Sequence, residues 1–424
     1  MDTNRTWLPE QNDGLILKGI AFLISPVLGM LSAIVRPNTK SSYLILFLSF
    51  ITIGLAMNIP DGIVDDQYYD SIFYRAQFED LAMQSSSDFS SFLSDYSQMN
   101  DSSSTDIYSH TIFYFVSRFT DNYHVCFMVL MVIFAWFMLK AMRYLVSEPN
   151  YCISVTCLLL LFLFTICQIQ KINAFRFYTA YWMAIYALLK IIVDGDKRYW
   201  LLLAATPAVH ASFMLVFGIY ALYVVMRGRH RLTVIVLVLA VLFSSIAVKT
   251  FLWVTSHLPG SLGAHYGSYL SEWYMQEINE SGTGYKWIVR LFEALVRLSV
   301  NVIALFFATQ YRTRIADSKC KNLYFFMMAV LAFADFTFMI PSVGSRFVLL
   351  AFPMIAYIWL VCLGQEKRYN WILYGFTGLY LFYFFALPWS IYQIPSFNLY
   401  TSLWNMDILY QSPLWLWYKL IFAH

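Results

Sequence analysis

Charged side chains interrupt several long apolar runs of this chain, and their types and spacing could do chemistry. A charge within a membrane span is costly and usually marks a pathway or a site. Arg290, Glu293 and Arg297 follow one another at three- and four-residue steps, so a helix would carry them on one face. Further charges of this kind are Arg176, Asp335 and Arg346.

Arginines at this depth suit a phosphorylated ligand. The guanidinium fork pairs bidentately with phosphate, and a pyrophosphate offers two negative groups close together. A lipid pyrophosphate would bring its charge to this depth and leave its chain in the bilayer. The sequence has no GxxxxGK[ST], GxGxxG, HExxH or Gx-Ser-xG motif, so we expect chemistry on an already activated substrate.

Structural roles compete with this interpretation. Arg297 could form a neutralised buried pair with Glu293 or Asp335, and Arg176 and Arg346 could extend to lipid headgroups. A single histidine, His210, stands in an apolar stretch, where a satisfied core histidine is the ordinary interpretation. Three carboxylates, Asp61, Asp65 and Asp66, follow directly on the second apolar run.

The elements that position these residues are predicted from composition. The 424 residues are 60% hydrophobic and 12% charged, against about 45–50% and roughly 25% in soluble domains. Runs of about 17–25 apolar residues match a hydrocarbon core of about 30 Å. We predict an all-α polytopic integral membrane protein of about 11–13 transmembrane helices in a single domain, 1–424. The predicted spans are 15–35, 43–59, 123–141, 152–170, 174–193, 199–226, 232–255, 287–308, 323–340, 345–363 and 371–388.

Orientation follows from the basic residues of the short connections, which favour the cytoplasm. Segment 60–121 carries eleven Asp or Glu against two Arg, so we place it outside, with the amphipathic stretch 106–119 as an interfacial helix. The acidic loop 256–286 is also predicted outside. Under this topology the charged groups and His210 share the outer half of the bilayer. The basic connections contain Arg36, Lys40, Lys140, Arg143, Lys197, Arg198, Arg227, Arg229, Arg231, Arg312, Arg314, Lys319, Lys321, Lys367 and Arg368.

Segment 199–226 has basic residues at both ends. A single crossing would place one of these basic ends outside the cytoplasm, against the preference of basic connections for the cytoplasmic side. Two full crossings need about 40 residues, more than the segment offers. We predict two short helices broken near Thr206-Pro207, because proline removes a helix hydrogen bond and clashes with the preceding turn. His210 would stand at the apex of this broken, re-entrant segment. The alternative is one long tilted helix with a proline kink.

Five stretches carry a resemblance to a known family. They are IPDGIVDDQYYDSIF, STDIYSHTIFYFVSRFTDNYHVCFMVL, INAFRFYTAYWMAIYALL, TPAVHASFMLVFGIYAL and GSRFVLLAFPMIAYI. In order and spacing they resemble the EpsG/Wzy family of bacterial polysaccharide polymerases, which act on O-antigen, capsule or exopolysaccharide, from about residue 43 to 365. Family members often have Arg-Gln where this chain has Arg176-Phe177.

The resemblance implies glycosyl transfer at the outer, periplasmic face of the bacterial inner membrane. It implies an undecaprenyl-diphosphate-linked oligosaccharide donor, an acceptor on the same lipid, and a fold like the GT-C glycosyltransferases. No cofactor, metal, nucleotide sugar or nucleic acid is expected. A flippase and a chain-length regulator of the same pathway are the expected protein partners.

Roles are carried over by position. Arg176 and Arg346 are expected to bind pyrophosphate, with Arg290 or Arg297 assisting. His210 is the first candidate for the base that activates the acceptor hydroxyl. Asp65 or Asp66 is the second, and Asp61, Glu293 and Asp335 are supporting residues.

Two other functions fit a polytopic chain with intramembrane charges. A membrane O-acyltransferase would take acyl groups from a cytoplasmic carrier, so its key residues would approach the inner face. A lipid-linked glycan transporter or flippase would do no chemistry. Transporters often contain internal repeats, and this sequence shows none.

Overall fold

The computed structural model describes residues 14–59, 70–83, 90, 107–146, 174–257, 263, 267, 286–340, 343–364, 366–379 and 406–422. Helices make up the regular structure of these ranges, so the chain is an all-α polytopic membrane protein. The predicted span 152–170 lies outside the described residues. The α-helices are Leu15–Ile24 (α1), Pro26–Ile34 (α2), Lys40–Leu55 (α3), Asp70–Met83 (α4), Ile107–Ser117 (α5), Tyr123–Val146 (α6), Phe175–Ile192 (α7), Trp200–Val209 (α8), Leu215–Met226 (α9), His230–Leu242 (α10), Ala247–Ser256 (α11), Lys286–Gln310 (α12), Lys321–Phe336 (α13), Gly344–Cys362 (α14), 370–379 (α15) and Pro413–Phe422 (α16).

Four continuous helical stretches in the described part of the chain are long and apolar enough to cross a membrane. A fifth crossing is obtained if α10 and the stretch Ser244–Ser256, bent by 59° at Phe243, count as one span. The predicted span 232–255 is thus two helices. The four stretches are Tyr123–Val146, Ala294–Ile315, Lys321–Met339 and Gly344–Cys362.

The first predicted span, 15–35, is a helical hairpin. Ser25 has extended backbone and its hydroxyl accepts hydrogen bonds from the N–H groups that open α2. The ammonium group of Lys18, on α1, donates to Thr39 Oγ1 at 2.7 Å and to Ser41 Oγ at 2.9 Å. One straight helix would separate residues 18 and 39 by about 30 Å. The chain therefore turns back at Ser25, and the single crossing predicted here is wrong.

The broken segment predicted within 199–226 is confirmed, and its break lies at His210. Helix α8 passes through Pro207, ends at Val209, and is followed by extended backbone at His210 (φ −153°, ψ 116°). Pro207 cannot donate to the carbonyl of Leu203. The hydroxyl of Thr206 donates to that same carbonyl at 2.7 Å, which explains why the helix continues for two residues beyond the proline.

Segment 60–121 contains two packed helices, α4 and α5. Helix α5 lies where the interfacial helix 106–119 was predicted, whereas α4 was not predicted. The placement of this segment and of 256–286 outside the membrane remains a prediction. Both helices also pack on α6, and α5 packs on α8, so this segment reaches the helices that carry the candidate site.

The centre of the bundle is formed by α13 and α14, whose side chains are buried on every face. A helix that is apolar all round belongs in such an interior. Helix α9 packs on α13, and α7 packs on α6 and α8. The first turns of α7 and α14 and the α8–α9 break are thereby brought together.

Gly54 sets the closest approach of α3 to α6. A Cβ atom added there would lie 2.5 Å from Met131 Cβ and 3.1 Å from the Phe127 carbonyl oxygen. We expect Gly54→Val to destabilise the protein by about 1–3 kcal/mol through overpacking. Thermal unfolding of the detergent-solubilised protein should record a lower midpoint.

Gly218→Val is the matched control, because a Cβ at that helical glycine has no neighbouring atom within 4 Å. Equal unfolding midpoints for the two variants would contradict the close contact between α3 and α6.

Candidate functional site

The ring of Phe177 lies between two of the predicted site residues. Phe177 is buried in the first turn of α7. The imidazole of His210 meets the ring edge to face, with centroids 5.4 Å apart and planes at 89°. The guanidinium carbon of Arg346 lies 5.5 Å from the ring centroid, within the range of a cation–π contact. One apolar side chain therefore joins the α8–α9 break to the start of α14.

Arg176 precedes this ring and is held by Tyr74 of α4. Its Nε donates to the Tyr74 hydroxyl at 3.0 Å, and its guanidinium carbon lies 4.9 Å from the Tyr74 ring centroid. Tyr74 is itself buried, with its ring edge to face against Phe175 at 4.4 Å. Because both the hydroxyl and the ring face contact the guanidinium, Tyr74 fixes the position of Arg176.

His210 is buried, and Ser212 holds one of its ring nitrogens. His210 Nδ1 accepts the backbone N–H of Ser212 at 3.3 Å and lies 2.8 Å from the Ser212 hydroxyl oxygen. Because Nδ1 accepts the N–H, the neutral ring carries its proton on Nε2. On this geometry the neutral ring has its hydrogen-bond donor at Nε2.

Further aromatic rings pack beside this group. Phe213 contacts Phe177 at 5.2 Å between centroids, and Phe347 contacts Phe177 at 6.2 Å and Phe213 at 5.9 Å. Phe333 of α13 contacts Phe347 at 5.5 Å. These rings place apolar surface beside the cationic residues. A low-dielectric environment strengthens electrostatic interactions within it.

Gly344, at the start of α14, allows this helix to approach the end of α13 closely. A Cβ at Gly344 would lie 2.6 Å from Phe338 Cα and 2.7 Å from the Ala334 carbonyl oxygen. No larger residue fits without moving backbone. This contact fixes the position of Arg346, two residues later, relative to α13.

Arg297 forms a buried ion pair with Asp335, which is one of the structural roles that the sequence offered. Its Nε lies 2.5 Å from Asp335 Oδ1, and the side chains are 19% and 2% exposed. Its terminal nitrogen also donates to the Asp335 carbonyl at 3.0 Å, and Asn301 donates to the carboxylate at 3.1 Å. The guanidinium carbon lies 4.0 Å from the Phe338 ring centroid. This pair therefore ties α12 to the end of α13, beside the glycine contact.

The remaining predicted residues are not placed at the site. Asp61, Asp65 and Asp66 lie outside the described residues. Arg290 and Glu293 belong to the backbone of α12, and their side chains also lie outside what the structure describes. No group of three or more His, Cys, Asp or Glu side chains within the described ranges could hold a metal ion.

Three residues of this site were not predicted to act there. Tyr74 directly follows the stretch QYYDSIF, and the sequence gave no indication that it reaches Arg176, because 102 residues separate the two. The His-x-Ser pattern was visible in the sequence, but not the hydrogen bond from Ser212. In the sequence Phe177 is only a departure from the Arg-Gln of related proteins, whereas in the structure its ring contacts both His210 and Arg346.

The fold and this cluster define a polytopic membrane protein with arginine and histidine side chains gathered within its helical bundle. The EpsG family model matches residues 41–405, and the chain belongs to the EpsG family. Membership indicates a membrane polysaccharide polymerase of the glycosyltransferase type. No curated protein and no solved structure matches the chain.

The Arg297–Asp335 pair gives a stability prediction. Asp335→Asn leaves a partly buried guanidinium without the carboxylate of its pair, and we expect a cost of up to about 3–5 kcal/mol, the range for buried pairs. Replacing both partners, as in Arg297→Met with Asp335→Leu, should recover most of that loss, because neither charge then has to be buried. Thermal unfolding in detergent measures both variants.

Arg198→Gln serves as the matched control, because its pair with Asp196 has an arginine that is 86% exposed. Such surface pairs contribute about 0–1 kcal/mol. If Asp335→Asn unfolds at the same temperature as Arg198→Gln, the buried pair does not stabilise the fold.

Proposed function

We propose that this protein joins undecaprenyl-diphosphate-linked oligosaccharide repeat units by glycosyl transfer at the outer face of the bacterial inner membrane. Family membership supports the polymerase class. The observation that carries the rest is the convergence on Phe177 of Arg346 and His210, with Arg176 next to it in the chain. These groups come from separate parts of the chain and are basic or titratable, as a diphosphate site requires.

In this proposal Arg176 and Arg346 bind the diphosphate of the donor. The acceptor hydroxyl oxygen attacks the anomeric carbon of the donor glycan. The bond from that carbon to the phosphate oxygen breaks, and undecaprenyl diphosphate leaves with the electron pair. Two guanidinium groups held beside apolar rings stabilise the growing negative charge, because preorganised cations need little rearrangement during the reaction. Tyr74 keeps Arg176 in position for this role.

His210 donates a hydrogen bond to the departing phosphate oxygen in this proposal. The hydrogen bond that the Ser212 N–H donates to Nδ1 supports the role of donor over the role of base, because the neutral ring then carries its proton on Nε2. Asp65 and Asp66, which follow the second apolar run, become the candidates for the base that takes the acceptor proton. Arg297 acts indirectly, through its ion pair with Asp335 at the end of α13.

The location and partners of the protein are part of the same proposal. The acidic segment 60–121, of which α4 holds Arg176, supports an outward-facing site under the positive-inside rule. Lipid-linked repeat units must then be flipped before use, so a flippase of the same pathway supplies them, and a chain-length regulator acts on the product. The donor is already activated by its diphosphate, so no nucleotide sugar is needed.

Substitution of the two arginines tests the diphosphate site. We expect Arg176→Ala and Arg346→Ala each to lower polymer formation by at least about 100-fold, because a developing charge loses its stabilisation. Arg176→Lys should recover little, since a point charge does not reproduce the bidentate fork. The measurement is the ladder of longer glycans that purified protein makes from lipid-linked repeat units.

Arg229→Ala, an exposed arginine between α9 and α10, is the control and should keep full activity. Full activity of Arg176→Lys would contradict bidentate binding and would favour simple headgroup anchoring. If the wild-type protein moves lipid-linked glycans across vesicles without lengthening them, it is a transporter. Transfer of acyl groups without lengthening would identify an O-acyltransferase.

A pair of variants at position 210 separates a donor from a base. The amide of His210→Gln can still donate a hydrogen bond, so we expect it to keep about a tenth of the activity or more. His210→Ala cannot donate, and we expect a loss of about 100- to 1,000-fold. A general base would give a different result, because neither variant could take up a proton and both would lose about 100- to 10,000-fold.

The test measures initial rates of glycan lengthening across pH for the wild type and both variants. Unfolding midpoints show whether each variant is intact. Equal loss of activity in two folded variants would assign His210 to proton removal and would overturn the donor role.

A further inference from the structure

A second feature of the bundle lies far from the arginine–histidine cluster. A cavity of about 260 Å³ opens between α3 and α6. Its walls are mainly apolar and aromatic, and two basic side chains complete its lining. The residues that matter here are Leu44, Phe47, Trp136, Leu139, Lys140 and Arg143.

The position of this groove along the bundle follows from the packing of α3 on α6. Gly54 lies against Met131 and Phe127, and Phe47 lies against Trp136 with ring centroids 6.5 Å apart. The two helices are therefore antiparallel, and the start of α3 lies beside the end of α6. Lys40 opens α3 at this end, so basic residues of both helices lie toward the same end of the bundle.

The groove is distinct from the arginine–histidine cluster. Phe127, in the first turns of α6, contacts Phe175 beside Arg176, with ring centroids 6.3 Å apart. Arg143 follows Phe127 on α6 by more than four helical turns, which corresponds to about 24 Å along the helix axis. That distance approaches the thickness of the hydrocarbon core, about 30 Å. The groove and the cluster therefore lie toward opposite faces of the membrane.

The lining of the groove matches the two parts of a phospholipid. Leu44 and Trp136 are about half exposed on the outer surface of the bundle, where acyl chains surround the protein. The Lys140 ammonium lies 4.7 Å from the Trp136 ring centroid, at the end of the groove where Arg143 also lies. Tryptophan with Lys or Arg is the usual combination at the level of lipid headgroups.

We propose that this groove binds an anionic phospholipid of the leaflet at the basic end of the bundle. One acyl chain lies along Leu44, Phe47 and Trp136, and the phosphate lies between Lys140 and Arg143. Two cations beside one phosphate favour a headgroup with net negative charge, such as phosphatidylglycerol, over a zwitterionic one. Lys40, at the start of α3, adds a further positive charge at this end of the bundle and so strengthens the preference for an anionic headgroup.

The experiment uses the purified full chain and two probes, a photoactivatable phosphatidylglycerol and a photoactivatable phosphatidylcholine, in mixed micelles. We expect at least a tenfold preference for phosphatidylglycerol, with crosslinks mapped by mass spectrometry to α3 and the end of α6. Lys140→Gln with Arg143→Gln should weaken phosphatidylglycerol binding by about fivefold for each charge. Phosphatidylcholine binding should change little.

Two control variants keep the proposal testable. Lys140→Arg with Arg143→Lys retains both charges and should retain the preference, which separates charge from folding. Arg229→Gln with Arg231→Gln removes two basic residues of another connection and should also retain it. Equal labelling by both probes, or an unchanged preference in the Lys140→Gln, Arg143→Gln protein, would overturn the proposal. So would displacement of phosphatidylglycerol by equimolar undecaprenyl diphosphate, which would assign the groove to the lipid-linked substrate.

Discussion

The cost of placing a guanidinium group within an apolar bundle constrains this structure more than any other interaction. Arg176, Arg297 and Arg346 each meet the constraint differently. Arg176 contacts the hydroxyl and ring of Tyr74, Arg297 has the carboxylate of Asp335, and Arg346 lies over the face of Phe177. Only the second of these contacts neutralises the charge. The other two are contacts with aromatic rings or a hydroxyl, which stabilise a cation without being ion pairs.

The backbone around the cluster follows a related constraint, because polar main-chain groups at membrane depth need partners. The break at His210 is accommodated locally. Thr206 satisfies the carbonyl that Pro207 leaves without a donor, and the His210 ring accepts the N–H of Ser212. The imidazole is thus both a capping group and part of the cluster, which ties its protonation to the shape of the chain at the break.

Hydropathy and the positions of proline predicted most of the helices, because both are properties of short stretches of sequence. They did not predict the hairpin at Ser25, where a run of spanning length is divided by a polar cap before Pro26. Partners distant in sequence were harder to foresee. The spacing on α12 places Glu293 and Arg297 on one face, but it carries no information about Asp335, which contacts Arg297 from the end of α13. The contact between Tyr74 and Arg176 likewise depends on where α4 packs, and hydropathy carries no information about that.

The Arg297–Asp335 pair also bears on how the protein is made. Arg297 is synthesised 38 residues before the carboxylate that neutralises it. A helix carrying an unpaired arginine enters the bilayer at a cost of about 2.5–3.5 kcal/mol at its centre. If α12 were released into lipid alone, Arg297 would lack the carboxylate of Asp335 until α13 existed. The insertion machinery is therefore expected to retain α12 until α13 emerges, so that the two helices leave it together as an already neutral pair.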